Sequence, residues 1–188
     1  MSERPLVLAS ASPRRADLLR LAGYAFTVAH ADLDETPRPA EAPAAYVRRL
    51  AEEKAAAVAV RHPEAVVLGA DTTVVVDGEI LGKPDDDAAA AAMLSRLQGR
   101  AHEVYTGVAV VGPGGGASAV SETRVWMAPM TTDDIAAYVA SGEPRDKAGA
   151  YGIQGLASRF VTRIDGSYPG VMGLPVALVH ELLANYRG

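Results

Sequence analysis

Short apolar runs alternate along this chain with longer stretches in which apolar positions recur at helical spacing, and the two periods separate strands from helices. Pro5 to Ala9 is a compact apolar run, read as a buried strand. It meets Ser10-Ala11-Ser12-Pro13, a helix start in which Ser12 caps and Pro13 stands where its missing N–H costs nothing. Leu18, Leu19, Leu21 and Ala22 supply the expected apolar face, and Gly23 ends the helix. Tyr24 to Val28 reads as another strand, followed by an acidic, proline-punctuated loop from Asp32 to Pro43.

Ala44 to Arg61 is a helix stopped at His62-Pro63, with Val47, Leu50, Lys54 and Val58 along one face. Ala65 to Gly69 and Thr72 to Val76 are strand-like, and Asp77-Gly78 forms a hairpin turn into Glu79 to Leu81. Pro84 and Asp85 open an alanine-rich helix that ends near Gly99. His102 to Val111 and Ala119 to Met127 form a hairpin around Pro113 to Gly116, a glycine run better read as a hairpin tip than as a phosphate loop. Thr131 or Thr132 caps a helix to Ala140, Lys147 to Gly155 is irregular, Phe160 to Ile164 is a strand, and Leu174 to Tyr186 is a closing helix. The pattern predicts one α/β or α+β domain over residues 1–188, with or without two lobes, built on a mixed sheet.

Composition narrows the partners. The 188 residues are 49% apolar and 22% charged, enough for a substantial core. With a net charge of −5 the chain has no basic field to hold a nucleic-acid backbone, so no nucleic-acid partner is expected. There is no cysteine, which removes disulfides, thiolate catalysis and cysteine-ligated zinc. No stretch reads as a signal peptide or a membrane span, so a cytoplasmic protein without a membrane partner is expected.

Five segments carry candidate chemistry. Ser10-Ala11-Ser12-Pro13-Arg14-Arg15 joins a strand to a helix N-terminus, where unpaired N–H groups attract anions. Two arginines in that first turn oppose the dipole; they are either solvated surface charges or partners of a bound anion. Asp71 interrupts an apolar run, which is costly unless it is paired or binds a cation; alternatively Gly69-Ala70-Asp71 is a turn between strands. Lys54, within its apolar stripe, either snorkels to solvent or points into a pocket. Gly82-Lys83-Pro84 is no Walker A loop, because proline stands where a magnesium-binding hydroxyl belongs. In Ser141 to Gly155, glycines interleave with Asp146, Lys147 and Gln154, and a glutamine amide offers a donor and an acceptor to a nucleobase edge. The four histidines lack ligand spacing and read as structural or exposed.

Taken in order, these segments resemble the Maf family of nucleotide pyrophosphatases. The landmarks are Leu8-Ala9-Ser10 with Ser12 to Arg15, Asp34-Glu35, Glu53-Lys54-Ala55, Gly69 to Thr72, Gly82-Lys83-Pro84 and Thr106-Gly107. Ser141 to Pro144, Asp146 to Gly155, Gly166 to Tyr168 and Gly173-Leu174-Pro175 complete the set. The resemblance implies a mixed-sheet α/β fold like that of inosine triphosphate pyrophosphatases, with two lobes around a cleft, in a homodimer. It implies cleavage of a nucleoside triphosphate to monophosphate and pyrophosphate with a divalent metal, magnesium or manganese. By that likeness Asp71 is the general base, and Glu35 with Asp71 holds the metal. Ser10, Arg14, Lys54, Lys83 and Lys147 bind the substrate, with Asp146 beside them. Arg14, Thr72 and Gln154 match the branch acting on dTTP and UTP; the branch acting on methylated GTP has glutamine after the aspartate and glutamate in the late glycine loop. Two alternatives stay open: a pyrophosphatase for modified purine nucleotides, and a non-enzymatic nucleotide-binding regulator of cell division.

Overall fold

In the computed structural model, which describes residues 4–184 and 186, the first apolar run forms strand β1 (Leu6–Ala9) and Pro13 opens helix α1 (Pro13–Leu21). Leu18 and Leu19 are buried, but Leu21 is 85% exposed, so the apolar face of α1 is narrower than its periodicity suggested. Ser12 occupies the N-cap position without a side-chain cap bond. Its N–H donates to the Ser10 hydroxyl at 3.2 Å. Gly23, at φ 82°, closes the helix in the left-handed region that glycine adopts most cheaply. Strand β2 (Thr27–Ala29) is shorter and later than the predicted Tyr24 to Val28.

Helix α2 (Pro43–Ala59) buries Val47, Leu50 and Val58 as their spacing required. Strand β3 (Val66–Val76) runs unbroken for 11 residues, so Gly69-Ala70-Asp71 is not a turn. Asp77 and Gly78, both at positive φ, turn the chain into β4 (Glu79–Leu81), which pairs antiparallel with β3. Helix α3 (Asp87–Leu97) starts later than Pro84, after Asp86 accepts a capping bond from the Ala89 N–H at 2.7 Å. Strands β5 (Ala101–Gly112) and β6 (Gly115–Met127) leave Pro113-Gly114 as the hairpin tip.

Thr131 and Asp134 form a reciprocal capping box on α4 (Thr132–Ala140). Short 3-10 turns at Glu143–Asp146, Ala148–Ala150 and Leu156–Phe160 lead to β7 (Val161–Asp165). A single turn, α5 (Tyr168–Val171), precedes the closing helix α6 (Val176–Ala184); Asn185, inside the predicted span of that helix, lies outside the described residues.

The seven strands form one mixed sheet in the order β2-β1-β3-β5-β6-β7, with β4 on β3. β1 runs parallel to β2 and β3, while β6 and β7 are antiparallel. Two compact units result. The first comprises Met1–Asp71, Thr106–Ser121 and Gly173–Gly188; the second comprises Thr72–Tyr105 and Glu122–Met172. In the first, Val7, Ala9, Val67 and Ala109 pack with Ala51, Ala55 and Val58 of α2. In the second, Leu94, Leu97, Val104, Val125, Tyr138 and Ile153 belong to one buried cluster. Each large apolar side chain so buried contributes roughly 1.5–3 kcal/mol. Among the described residues no helix is long and apolar enough to cross a membrane.

Candidate active site

Alternation along β3 puts Val67, Gly69 and Asp71 on one face. Val67 packs with Ala51, Ala55 and Val58, so that face is covered by α2. The approach is close because two glycines permit it. A Cβ on Gly69 would fall on the Ala51 carbonyl oxygen and 2.9 Å from the Ala55 nitrogen, and one on Gly107 would fall on the Val47 carbonyl. Held this close, α2 brings Lys54 to Asp71: the ammonium donates to Asp71 Oδ1 at 2.7 Å and stands 2.7 Å from Glu35 Oε1. The Lys54 side chain is only 12% exposed, so it points inward rather than snorkelling to solvent.

Glu35 arrives on the acidic loop, which α2 holds down. The Tyr46 hydroxyl donates to the Glu35 carbonyl at 2.9 Å, and Arg49 Nη2 donates to the Thr36 carbonyl at 3.3 Å. Arg49 also grips the Glu41 carboxylate through two bonds of 2.6 and 2.7 Å and reaches Glu53 at 3.2 Å. The hydrogen bond from Arg49 holds the Glu41 carboxyl down at a pKa of about 2. Burial, reinforced by the charges of Asp71 and Glu35, pushes the Tyr46 phenol up to about 12, so it remains a donor.

Ser10 follows Ala9, which lies opposite Gly69 in the parallel pair, so Ser10 stands at the carboxyl end of β1. Open α/β sheets place functional groups at such ends. Arg15 donates to the buried Ser10 hydroxyl at 3.2 Å and to the Gly173 carbonyl at 2.8 Å. Burial lowers the Arg15 pKa while Asp71 and Glu35 oppose that shift. Arg14 lies partly buried in the first turn of α1.

Asp71 itself is 6% exposed. Burial raises its carboxyl above the ordinary range, Lys54 and Arg15 pull it back, and Glu35 pushes it further up. The first unit thus gathers Ser10, Glu35, Lys54 and Asp71 with Arg15, which the first-turn pair of arginines had pointed to, and with Tyr46, which the sequence had not singled out.

The second unit carries Thr72, Lys83, Asp146, Lys147 and Gln154. Thr72 is partly buried on β3. Lys83 is exposed and, among the described residues, makes no hydrogen bond or ion pair. Its neighbour Gly82 accepts from the Gly149 N–H at 3.0 Å, which ties this segment to the glycine-rich one. Lys147 donates to the Glu143 carbonyl at 2.7 Å and to Asp146 at 2.6 Å. Gln154 is exposed in a turn. His102 is fully buried with its Nε2 2.7 Å from the Tyr151 hydroxyl, while His30 and His180 are exposed, so these histidines are structural or at the surface as expected.

The sequence matches the family described as "Maf-like protein" over residues 5–186. A dTTP/UTP pyrophosphatase of Methylobacillus flagellatus is 54% identical over 182 residues, covering 96% of this chain and 92% of the relative. One of Vibrio cholerae is 50% identical over 187 residues, covering 99% and 100%. Among solved structures, the Staphylococcus aureus Ham1 protein superposes with a TM-score of 0.55 at 16% identity, covering 98% of this chain and 100% of that one. That likeness concerns the fold alone.

Proposed function

The chain belongs to the Maf-like protein family, and on that premise we propose that it hydrolyses dTTP and UTP to the monophosphate and pyrophosphate. The observation that carries the reading is the buried Asp71 carboxylate, bonded to Lys54 and raised in basicity by its burial. A carboxylate so placed, with the Lys54 ammonium on one oxygen, is positioned to take a proton from water. In the proposed step a water oxygen attacks the α-phosphorus and its proton passes to Asp71. The bond between the α-phosphorus and the α,β-bridging oxygen breaks, and the electron pair leaves with pyrophosphate.

Ser10, Arg14, Lys54, Lys83 and Lys147 are assigned to the phosphate oxygens, whose charge must be offset before phosphorus can be attacked. Glu35 and Asp71 converge on one Lys54 nitrogen, so both reach a single cationic centre. Among the described residues no group of three or more acidic or imidazole side chains gathers for a metal, and magnesium needs few carboxylates beside water and phosphate. A magnesium or manganese ion is assigned to Glu35 and Asp71, with their convergence on one cationic centre as support; when bound it would polarise the phosphate oxygens. Gln154 is assigned to the O4 and N3–H edge of thymine or uracil, with Arg14 and Thr72 as further specificity residues. A cytoplasmic homodimer is part of the same proposal, and light scattering of the purified protein tests the dimer. The functional test is a nucleotide panel. The reading expects dTTP and UTP to exceed dCTP, GTP and 7-methyl-GTP by at least about tenfold in kcat/KM. Equal rates across the panel would remove the pyrimidine assignment, and absence of pyrophosphate would remove the enzyme.

A further inference from the structure

Glu143 has no part in the chemistry above, yet its carboxylate organises the glycine-rich segment of the second unit. Oε1 accepts from the Tyr138 hydroxyl at 2.7 Å, and Oε2 accepts from the Leu156 N–H at 2.9 Å. The Tyr138 hydroxyl in turn accepts from the Gly152 N–H at 3.0 Å. The Glu143 main-chain carbonyl takes the Lys147 ammonium. Tyr138 is fully buried, and burial pushes its phenol pKa up, so it stays protonated and donating.

The glycines on either side of Gln154 fit this carboxylate. Gly155 has a φ of −99°, which any residue adopts, yet an added methyl would land on the Glu143 carboxylate. At Gly152 a methyl would lie 3.1 Å from Glu143 Oε1 and 2.8 Å from Lys147 Cε. The space, not the backbone angle, requires glycine at 155. The two anchored amides, Gly152 and Leu156, bracket Gln154 by two residues on each side.

We infer that Glu143 is a positioning residue for base selection: with Tyr138 it fixes the turn from Gly152 to Leu156 and so holds the Gln154 amide in one orientation. The inference rests on the proposed base-reading role of Gln154. A glutamine discriminates between bases only if its donor and acceptor are presented in a fixed order, because a mobile amide pairs with either pattern.

The test compares Glu143→Ala, Glu143→Gln, Gly155→Ala and the Glu143→Ala/Gly155→Ala double variant in the full chain. Two quantities are read: amide hydrogen exchange at Gly152 and Leu156, and the dTTP over dCTP ratio of kcat/KM. Each alanine variant should speed both amides and lower the ratio at least about fivefold, chiefly through the KM for dTTP. Glu143→Gln, keeping one acceptor, should fall between wild type and Glu143→Ala. The double variant should be no worse than either single one, since the new methyl enters space the carboxylate has vacated. Faster exchange with an unchanged ratio, or additive losses in the double variant, would overturn the inference. If Glu143→Ala does not fold, Gly155→Ala and Glu143→Gln decide the matter alone. Wild type that ignores the difference between dTTP and dCTP would defeat the base reading of Gln154, and with it the selection role. The exchange data would then still tell whether Glu143 holds the turn.

Discussion

Replacing Asp71 by Asn separates catalysis from stability, because the two should move in opposite directions. The carboxyl is 6% exposed and its pKa is raised, with burial as the largest cause. Between the ordinary carboxylate pKa and the raised native one, the native state binds more protons than the unfolded chain. Stability therefore falls as pH rises through that window, and above it the ionised group weighs against folding. Asn removes that penalty and still offers an oxygen to Lys54, which keeps Glu35 at 2.7 Å. Against this, an ion pair becomes a bond from the same ammonium to an uncharged oxygen, a loss of roughly 1 kcal/mol. The balance predicts a Tm at pH 8 equal to wild type or a few degrees higher, at about 2–4 °C per kcal/mol for a chain of this size. Turnover should fall about 10²- to 10⁴-fold, the range a general base supplies, or roughly 3–5.5 kcal/mol of barrier. Thermal melts, binding of a non-hydrolysable dTTP analogue and pyrophosphate release together make the assay. Turnover within a few-fold of wild type would remove Asp71 from the mechanism, and a Tm drop of about 10 °C would show that the carboxylate is structural.

Three further outcomes follow from the same geometry. Lys54 pulls the Asp71 pKa down, so Lys54→Met should shift the acid limb of the kcat/KM profile to higher pH; an unmoved limb would mean another group sets it. His102 is fully buried with its pKa depressed to about 4, so it favours folding above pH 6.5 and that contribution is lost as pH falls towards 4. At about 1.4 kcal/mol per pH unit this is on the order of 3 kcal/mol, and His102→Gln should flatten the stability curve there; a parallel curve contradicts the assignment. Lys83 is exposed, so Lys83→Ala should leave Tm within about 2 °C of wild type while raising the KM for dTTP several-fold; unchanged KM would make it a surface lysine.

What the sequence revealed tracks how local each cause was. The Asp77-Gly78 turn and a threonine cap at 131 or 132 are set by neighbours two or three residues away and were legible, while the choice of Thr131 and its reciprocal bond with Asp134 came from the structure. The Lys54 stripe was legible as a face of α2, but not which carboxylates it would meet, because Glu35 and Asp71 come from other elements. Gly69-Ala70-Asp71 has the composition of a turn and yet stays extended, because α2 lies against Gly69 and no sequence period reports that contact. Leu21 matched the helical period but nothing covers it. Glu143 fell within the Ser141 to Pro144 landmark, but its anchoring role was not legible, because its carboxylate's partners are a backbone amide and a phenol across an aperiodic loop. The ordered set of motifs nevertheless identified the family, which the match over residues 5–186 bears out.

The central claim is that water attacks the α-phosphorus of dTTP, and hydrolysis in ¹⁸O-labelled water tests it most directly. The account predicts one ¹⁸O in dTMP, none in pyrophosphate, and no orthophosphate in the first turnover. Label in pyrophosphate would place the attack at the β-phosphorus, and release of orthophosphate with dTDP would place it at the γ-phosphorus; either result would contradict the account.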